Sequence, residues 1–497
     1  MTPWPFPVRC VCLHGHFYQP SRENPWTGET ELEPSAAPYH DWNQRVSAEC
    51  YTPNARALLP DSGGRILRLV NNYAHISFNF GPTLLVWLEA NEPETYQTII
   101  ATDAESLRRY SGHGAAIAQC YNHIIMPLAN SRDKRTQVVW GIRDFEFRFK
   151  RRPEGMWLPE TAVDLETLDI MSELGIKFTI LAPHQLRLAG SLNPDPRPLA
   201  LLDTRSPCLV RLPSGRTIAV FAYDAAIAAE IAFGSLLNDG AALAQRLQSA
   251  FTNDSAAQLV AVATDGETYG HHHPQGEQAL ADCARRIGSA LTVFGEFLER
   301  FPPTREGRVI ENTSWSCSHG VERWRADCGD NSGVHRGWNQ QWRKPLREAL
   351  DWLRDRLAGF FETRMARLVR EPWPARDDYI DILLRPEPDV IREFLIRHAG
   401  TELPAADRAE VLRLLELQRF AMLMFTSDGW FFDDISGIET VQNLRCAARA
   451  IQLAQELGDE PPEPAFLDIL AGARSNVPDQ GSGADIFHRI TQARAGN

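Results

Sequence analysis

Short apolar runs alternate with longer stretches of helical spacing through the first part of the chain. Val8–Leu13, His75–Phe80, Gly155–Leu158, Lys177–Leu181, Thr217–Phe221 and Leu259–Ala263 predict strands. An uninterrupted apolar run closed by Gly, Pro or Asp suits a strand covered on both faces, as in a parallel sheet. From Trp342 the texture changes. Leu346, Leu350, Leu353, Leu357, Phe360 and Phe361 fall at helical spacing across Arg343–Val369, and Ala405–Phe425 and Ile438–Leu457 repeat the pattern. The expected organisation is an α/β barrel-type unit at 1–305, a loop-rich junction at 306–340, an α-helical domain at 341–470 and a tail with little sign of order at 471–497.

The strand ends carry the chemistry. His14 and His16, Asn79, Glu160, His184, Asp224, and Asp265 with Glu267 stand at or just after the predicted strands. Polar groups delivered by successive strands to one rim are the pattern of a barrel with its site at the C-terminal face. Two of these runs stop on acids, in Gly155-Met-Trp-Leu-Pro-Glu160 and in Gln258–Glu267 with its Asp265, and a pair of carboxylates across one bond is what glycoside cleavage requires. Trp157 precedes Glu160, while Tyr269 and His271-His272-His273 follow Glu267. Aromatic faces beside acids fit sugar rings. His14 and His16, two apart on extended backbone, face one side and could hold a metal or bond substrate hydroxyls. Consecutive histidines at 271–273 diverge, so one or two of them at most can reach a common centre.

Composition narrows the field. A hydrophobic fraction of 43% with 23% charged residues is ordinary for a soluble globular protein, and 497 residues suggest two or three domains. The net charge of −13 argues against nucleic acid. No apolar stretch is long enough for a membrane span, and the N-terminal segment has no basic-then-apolar leader. Nine cysteines, an odd number, do not form a disulfide framework, so a reducing cytoplasm is expected. Cys317-Ser-His319 and Cys328 resemble part of a zinc site but complete no ligand set, so we assign no metal and no cofactor from sequence. Trp315, His319, Arg323 and Trp324 are read instead as a wall of the cleft. Gly429–Ser436 reads as aromatic packing with a helix cap supplied by Asp434 or Ser436.

Leu13-His-Gly-His16 through Gln19-Pro20, Trp157-Leu-Pro-Glu160 and Asp265-Gly-Glu267-Thr-Tyr-Gly-His271 resemble three signature regions of glycoside hydrolase family 57, and Tyr121-Asn-His123-Ile-Ile-Met-Pro127 resembles a fourth. One departure is visible, because Phe17-Tyr18 separates His16 from Gln19-Pro20 where the family's motif is more compact. The second half is similar to the helical domain of unassigned function that accompanies one branch of that family. The resemblance implies a distorted (β/α)7 barrel followed by helices, and a retaining mechanism on oligo- or polysaccharide α-glucans. It makes Glu160 the nucleophile and Asp265 the general acid/base, with His14, His16, Trp157, Asp224, Glu267, His271, Trp315, His319 and Trp324 expected to bind substrate. Two other readings stay open. One is a metal-dependent, deacetylase-like hydrolase using His14, His16, Asp265 and one of His271–His273; the other is a non-catalytic glycan-binding scaffold.

Overall fold

A computed structural model describes residues 8–60, 65–191 and 202–495. The chain forms two compact units interleaved in sequence. One comprises the described residues of Met1–Gln19, Leu32–Gln119 and Phe145–Glu311; the other those of Pro20–Glu31, Cys120–Asp144 and Asn312–Asn497.

The first unit is α/β. Its parallel strands are β1 (Arg9–Phe17), β2 (Ser77–Phe80), β3 (Ala118–Gln119), β4 (Met156–Trp157), β5 (Phe178–Leu181), β6 (Thr217–Ala222) and β7 (Gln258–Asp265). β1 lies between β7 and β2, parallel to both. A parallel bridge from Phe78 to Ala116 leads from β2 toward β3, which pairs with β4. A bridge from Gly155 to Phe178 joins the β4 region to β5, and β5 pairs with β6. Beyond β6, the Asp224 N–H donates to the Ala261 carbonyl of β7 at 2.7 Å. β6 also carries a side sheet through Cys208–Arg211, Arg305–Val309 and Leu186–Ser191.

The expected strands are all present, with shifted ends. β1 runs through Phe17 rather than stopping at Leu13, so His14 and His16 lie on the strand and not in a following loop. The apolar run ends at Leu13, yet the ladder continues because the buried imidazoles find partners on β2, and burial of a polar group is costly only when it goes unbonded. β7 likewise extends to Asp265. β3, of two residues, is too short to show any periodicity and was not expected.

The second unit is helical. Arg343–Met365 buries Leu346, Leu350, Leu353, Leu357 and Phe361. Ala405–Leu423 and Ile438–Glu456 follow the predicted spacing. A core cluster joins Phe361 and Met365 to Trp140, Tyr379, Phe394, Val411 and Leu414. Two expectations change here. The stretch read as a tail contains the helix Gly483–Ala495, whose Phe487 packs edge-on against Phe466 at 5.2 Å. Ser482 and Asp485 exchange hydrogen bonds at its start, a reciprocal cap hidden in a Ser- and Gly-rich sequence. Asp434 does not cap the helix at Ile438, whose first position follows Gly437; it binds Ser436, Ser475 and Asn476 instead. Among the described residues no helix is long and apolar enough to cross a membrane.

Leu350 has no exposed surface. Leu350→Ala is expected to cost about 2–5 kcal/mol, read as a lower midpoint in chemical denaturation. A loss below about 1 kcal/mol would show that the helix is not held by this stripe.

Candidate active site

Parallel register brings the strand-end groups together. His16 is the Cα partner of Asn79 on β2 and of Asp265 on β7, and His14 is the partner of Ser77 and Ala263. Paired residues of a parallel ladder project to the same face, so Asp265, His16 and Asn79 form one tier above Ala263, His14 and Ser77.

One amide organises both tiers. Asn79 Oδ1 accepts from His14 Nε2 at 3.0 Å, which leaves His14 Nδ1 to accept from the Ser77 hydroxyl, also at 3.0 Å. The Asn79 Nδ2 group donates to His16 Nδ1 at 2.9 Å and to Gln119 Oε1 at 2.8 Å. The proton of His16 is thereby placed on Nε2, and Gln119 Nε2 is left buried without a hydrogen bond. Both imidazoles stack on Trp157 of β4, with centroids at 5.1 Å for His14 and 4.9 Å for His16. His14 is completely buried, and burial pushes its pKa down to about 3 against the opposing effect of the Asn79 bond. With both ring nitrogens engaged, His14 has no lone pair to offer a metal.

Glu160 follows Trp157 in a tight turn over Pro159–Thr161 and is half-buried. Glu160 and Thr161 both adopt left-handed backbone, at φ 56° and 49°. Non-glycine residues pay for that conformation and keep it only where the surroundings enforce it. Gln185 enforces it. Its Oε1 accepts from the Thr161 hydroxyl and from the Ala182 N–H, both at 2.9 Å, while its Nε2 donates to the Thr161 carbonyl at 2.8 Å. Nothing in the sequence marks Gln185, since its role is visible only once the turn is built.

Asp265 ends β7 with its side chain exposed. Tyr223 lies near enough that, after burial, the Asp265 charge is the second influence raising its phenol pKa. Glu267 is buried and accepts from the Tyr51 hydroxyl at 2.6 Å and from the Tyr18 N–H at 3.0 Å, so it ties the turn after Asp265 to the helical segment Ser47–Tyr51 and to the chain just past β1. Burial and the Glu267 charge push the Tyr51 phenol far up, which keeps it a donor.

The other residues expected to bind substrate make these contacts within the protein. Asp224 caps the helix Ala225–Ala232, its Oδ1 accepting from the Ile227 N–H at 3.0 Å. His271 pairs with Glu49 at 2.5 Å and His273 with the Ala232 carbonyl at 2.9 Å, so these two point to different partners. Trp315, His319 and Trp324 belong to the helical unit. Trp324 is wholly buried and gives its indole N–H to the Ser427 carbonyl at 3.1 Å, the position of a core residue rather than of a cleft wall. His319 instead stands with Cys317, Cys328 and Asp330 in a group able to hold a metal ion. His123, from the fourth signature-like region, is also in that unit and bonds Ser427 Oγ at 2.7 Å.

A family model described as glycosyl hydrolase family 57 matches residues 23–308, and one described as a domain of unknown function (DUF3536) matches residues 338–495. Alpha-amylase 1 of Dictyoglomus thermophilum is 26% identical over 107 residues, a stretch that covers 21% of this chain and 15% of that relative. The exo-type maltose-forming amylase of Pyrococcus sp. ST04 shares the fold at a TM-score of 0.71 and 16% identity, over 97% of this chain and 88% of that one. A GH57-type branching enzyme of Pyrococcus horikoshii aligns at 0.54 and 15% identity, over 97% of this chain and 94% of that one.

His14 yields a pH prediction. It titrates near 6.5 when unfolded and about 3 when folded, so between these values the unfolded chain binds more protons. Stability is therefore fully present above pH 6.5 and falls as pH drops toward 3. By pH 5 the loss from this residue is about 2 kcal/mol. Buried His123, also held to about 3, adds a loss of the same sign. Urea midpoints at pH 7 and pH 5 should show the drop, and His14→Gln should flatten it; an unchanged slope in that variant would mean that His14 is charged in the folded state.

Proposed function

The chain belongs to glycosyl hydrolase family 57, and on that premise we propose that it is a retaining glycoside hydrolase or transglycosylase acting on α-glucans. Glu160 is the nucleophile and Asp265 the general acid/base. The observation that carries this reading is that Asp265 is the register partner of His16, that His16 stacks on Trp157, and that Glu160 stands three residues beyond Trp157 in its clamped turn. Two carboxylates with an aromatic and imidazole floor between their strands suit a sugar ring flanked on both sides.

Each group has a defined task. Glu160 attacks the anomeric carbon while ionised, and the Gln185 clamp fixes the backbone from which it does so. Asp265 is protonated for the first step, donates to the leaving oxygen, and then as a carboxylate takes a proton from the incoming acceptor. An acceptor of water gives hydrolysis and an acceptor of sugar gives transfer or branching, according to how well the second step excludes water. The Gln119 amide, left without a hydrogen bond, is a donor for a sugar hydroxyl or a carboxylate. The fold is shared with a maltose-forming amylase and a GH57-type branching enzyme, which supports the substrate class.

We extend the same reading to the fold. The succession of parallel pairings from β7 through β1 to β6, with the Asp224–Ala261 bond leading from the end of β6 to β7, supports a distorted (β/α)7 barrel. The metal-dependent alternative loses its first ligand, since both His14 nitrogens are engaged within the protein.

Asp265→Asn should lower turnover on maltooligosaccharides by about 10²–10⁴-fold. Glu160→Gln should abolish it, and incubation of the native enzyme with a mechanism-based glycosyl fluoride should add the sugar's mass to the peptide bearing Glu160. Full activity in either variant, or a label on another residue, would overturn the assignment.

A further inference from the structure

Between Asn312 and Trp342 the chain contains one short 3-10 turn, Glu322–Trp324, and no other helix or strand. Two pairs of potential ligands are folded together within it, Cys317-Ser-His319 and Cys328-Gly-Asp330. One donor atom from each of Cys317, His319, Cys328 and Asp330 lies within 4.8 Å of every other. In a tetrahedral zinc site with bonds of about 2.0–2.3 Å, donors stand roughly 3.3–3.8 Å apart, so closure needs only a small contraction.

The surroundings suit a cation bound by thiolates. Cys317 is 3% exposed, so its sulfur would be shielded from water. Asp330 Oδ2 is buried with His319 Nδ1 at 3.5 Å, and the carboxyl faces Cys317 and His319, the other donors of the cluster. The fully buried Arg343 places Nη1 3.8 Å from Cys328 Sγ and donates from the same nitrogen to the Asp330 carbonyl at 2.8 Å. An N–H aimed at a ligand sulfur orients it and offsets the excess negative charge of two thiolates and a carboxylate around a divalent ion.

We propose that Cys317, His319, Cys328 and Asp330 form a structural zinc site that fixes this loop in the helical unit. Two thiolates, one imidazole and one carboxylate in a closed four-donor set favour zinc over calcium or magnesium, which take oxygen ligands. Without metal the Cys317 thiol is held protonated, burial pushing its pKa up to about 12; binding displaces that proton to solvent as the sulfur–metal bond forms.

The test uses the full chain purified under reducing conditions, equilibrated with zinc and desalted. Elemental analysis should find one zinc per chain, and the Cys317→Ser/Cys328→Ser double variant should lose it, while Asp330→Asn should hold it more weakly against a chelator. Cobalt substituted into the native protein should give the sulfur-to-cobalt charge-transfer and intense visible bands of a tetrahedral thiolate site, a readout that stands even where a variant fails to fold. Substoichiometric zinc in the native protein, zinc content unchanged in the double variant, a cobalt spectrum without thiolate bands, or a Cys317–Cys328 disulfide would each overturn the proposal. None of these measurements depends on glycosidase activity, so failure here and failure of the catalytic assignment are separable.

Discussion

Two imidazoles buried among parallel strands are a liability unless each ring nitrogen is matched, and in the α/β unit one side chain does most of that matching. Asn79 accepts from His14 and donates to His16 and Gln119, so its carbonyl and both amide protons are used. The arrangement sets each tautomer, since a neutral ring that donates from Nε2, as His14 does, accepts at Nδ1, and His16, which accepts at Nδ1, carries its proton on Nε2 as well. It also fixes the ring planes that Trp157 stacks upon. Removing the amide would leave three buried polar groups short of a partner, each at a cost of about 1–3 kcal/mol, and would free the two rings that stack on Trp157.

That network explains what the sequence conveyed and what it concealed. Continuous apolar runs such as Leu259–Ala263 located strands, because a strand covered on both faces is selected for hydrophobicity at every position. The same criterion stopped β1 at Leu13, since a buried histidine satisfied by a neighbouring strand looks in sequence like a loop residue. The acids at 160 and 265 were legible as strand ends. Asp224 and Glu267 were legible as polar residues in the same positions, but a helix cap and a loop tie need the same oxygen chemistry as substrate binding. Gln185 and Asp330 were invisible for a related reason, because their partners are distant in sequence or unremarkable in type.

The helical unit was the easier to read. A stripe such as Leu346, Leu350, Leu353 and Leu357 encodes both the helix and its buried face, and packing of that face supplies most of the stability. The helix Gly483–Ala495 escaped notice because its start is written in Ser, Gly and Asp, residues that read as disorder until Ser482 and Asp485 are seen to cap each other. The loop between Asn312 and Trp342 has no such periodicity, and its order must come from side chains acting on backbone. Arg323 and Arg343 do part of this through carbonyls, Arg323 bonding Phe431 at 2.8 Å and Arg343 bonding Asp330 at the same distance.

The turn at Glu160 poses the opposite problem, order imposed on a conformation the chain would avoid. Two consecutive left-handed non-glycine residues cost of order 1–3 kcal/mol each, and glycine at either position would relieve that cost. The turn keeps Glu and Thr. Thr161 uses its hydroxyl to engage Gln185, so it contributes to the clamp that holds it, and Gln185 is itself fixed through its backbone N–H to Ala182 and its carbonyl to Ile310. Strain held by a rigid, buried clamp differs from strain in a mobile loop, because the side chain it carries has few alternative positions to lose when a ligand arrives. In the nucleophile's role proposed for Glu160, that rigidity is the useful quantity, and it would account for a sequence that tolerates the strained backbone in place of a relaxed turn.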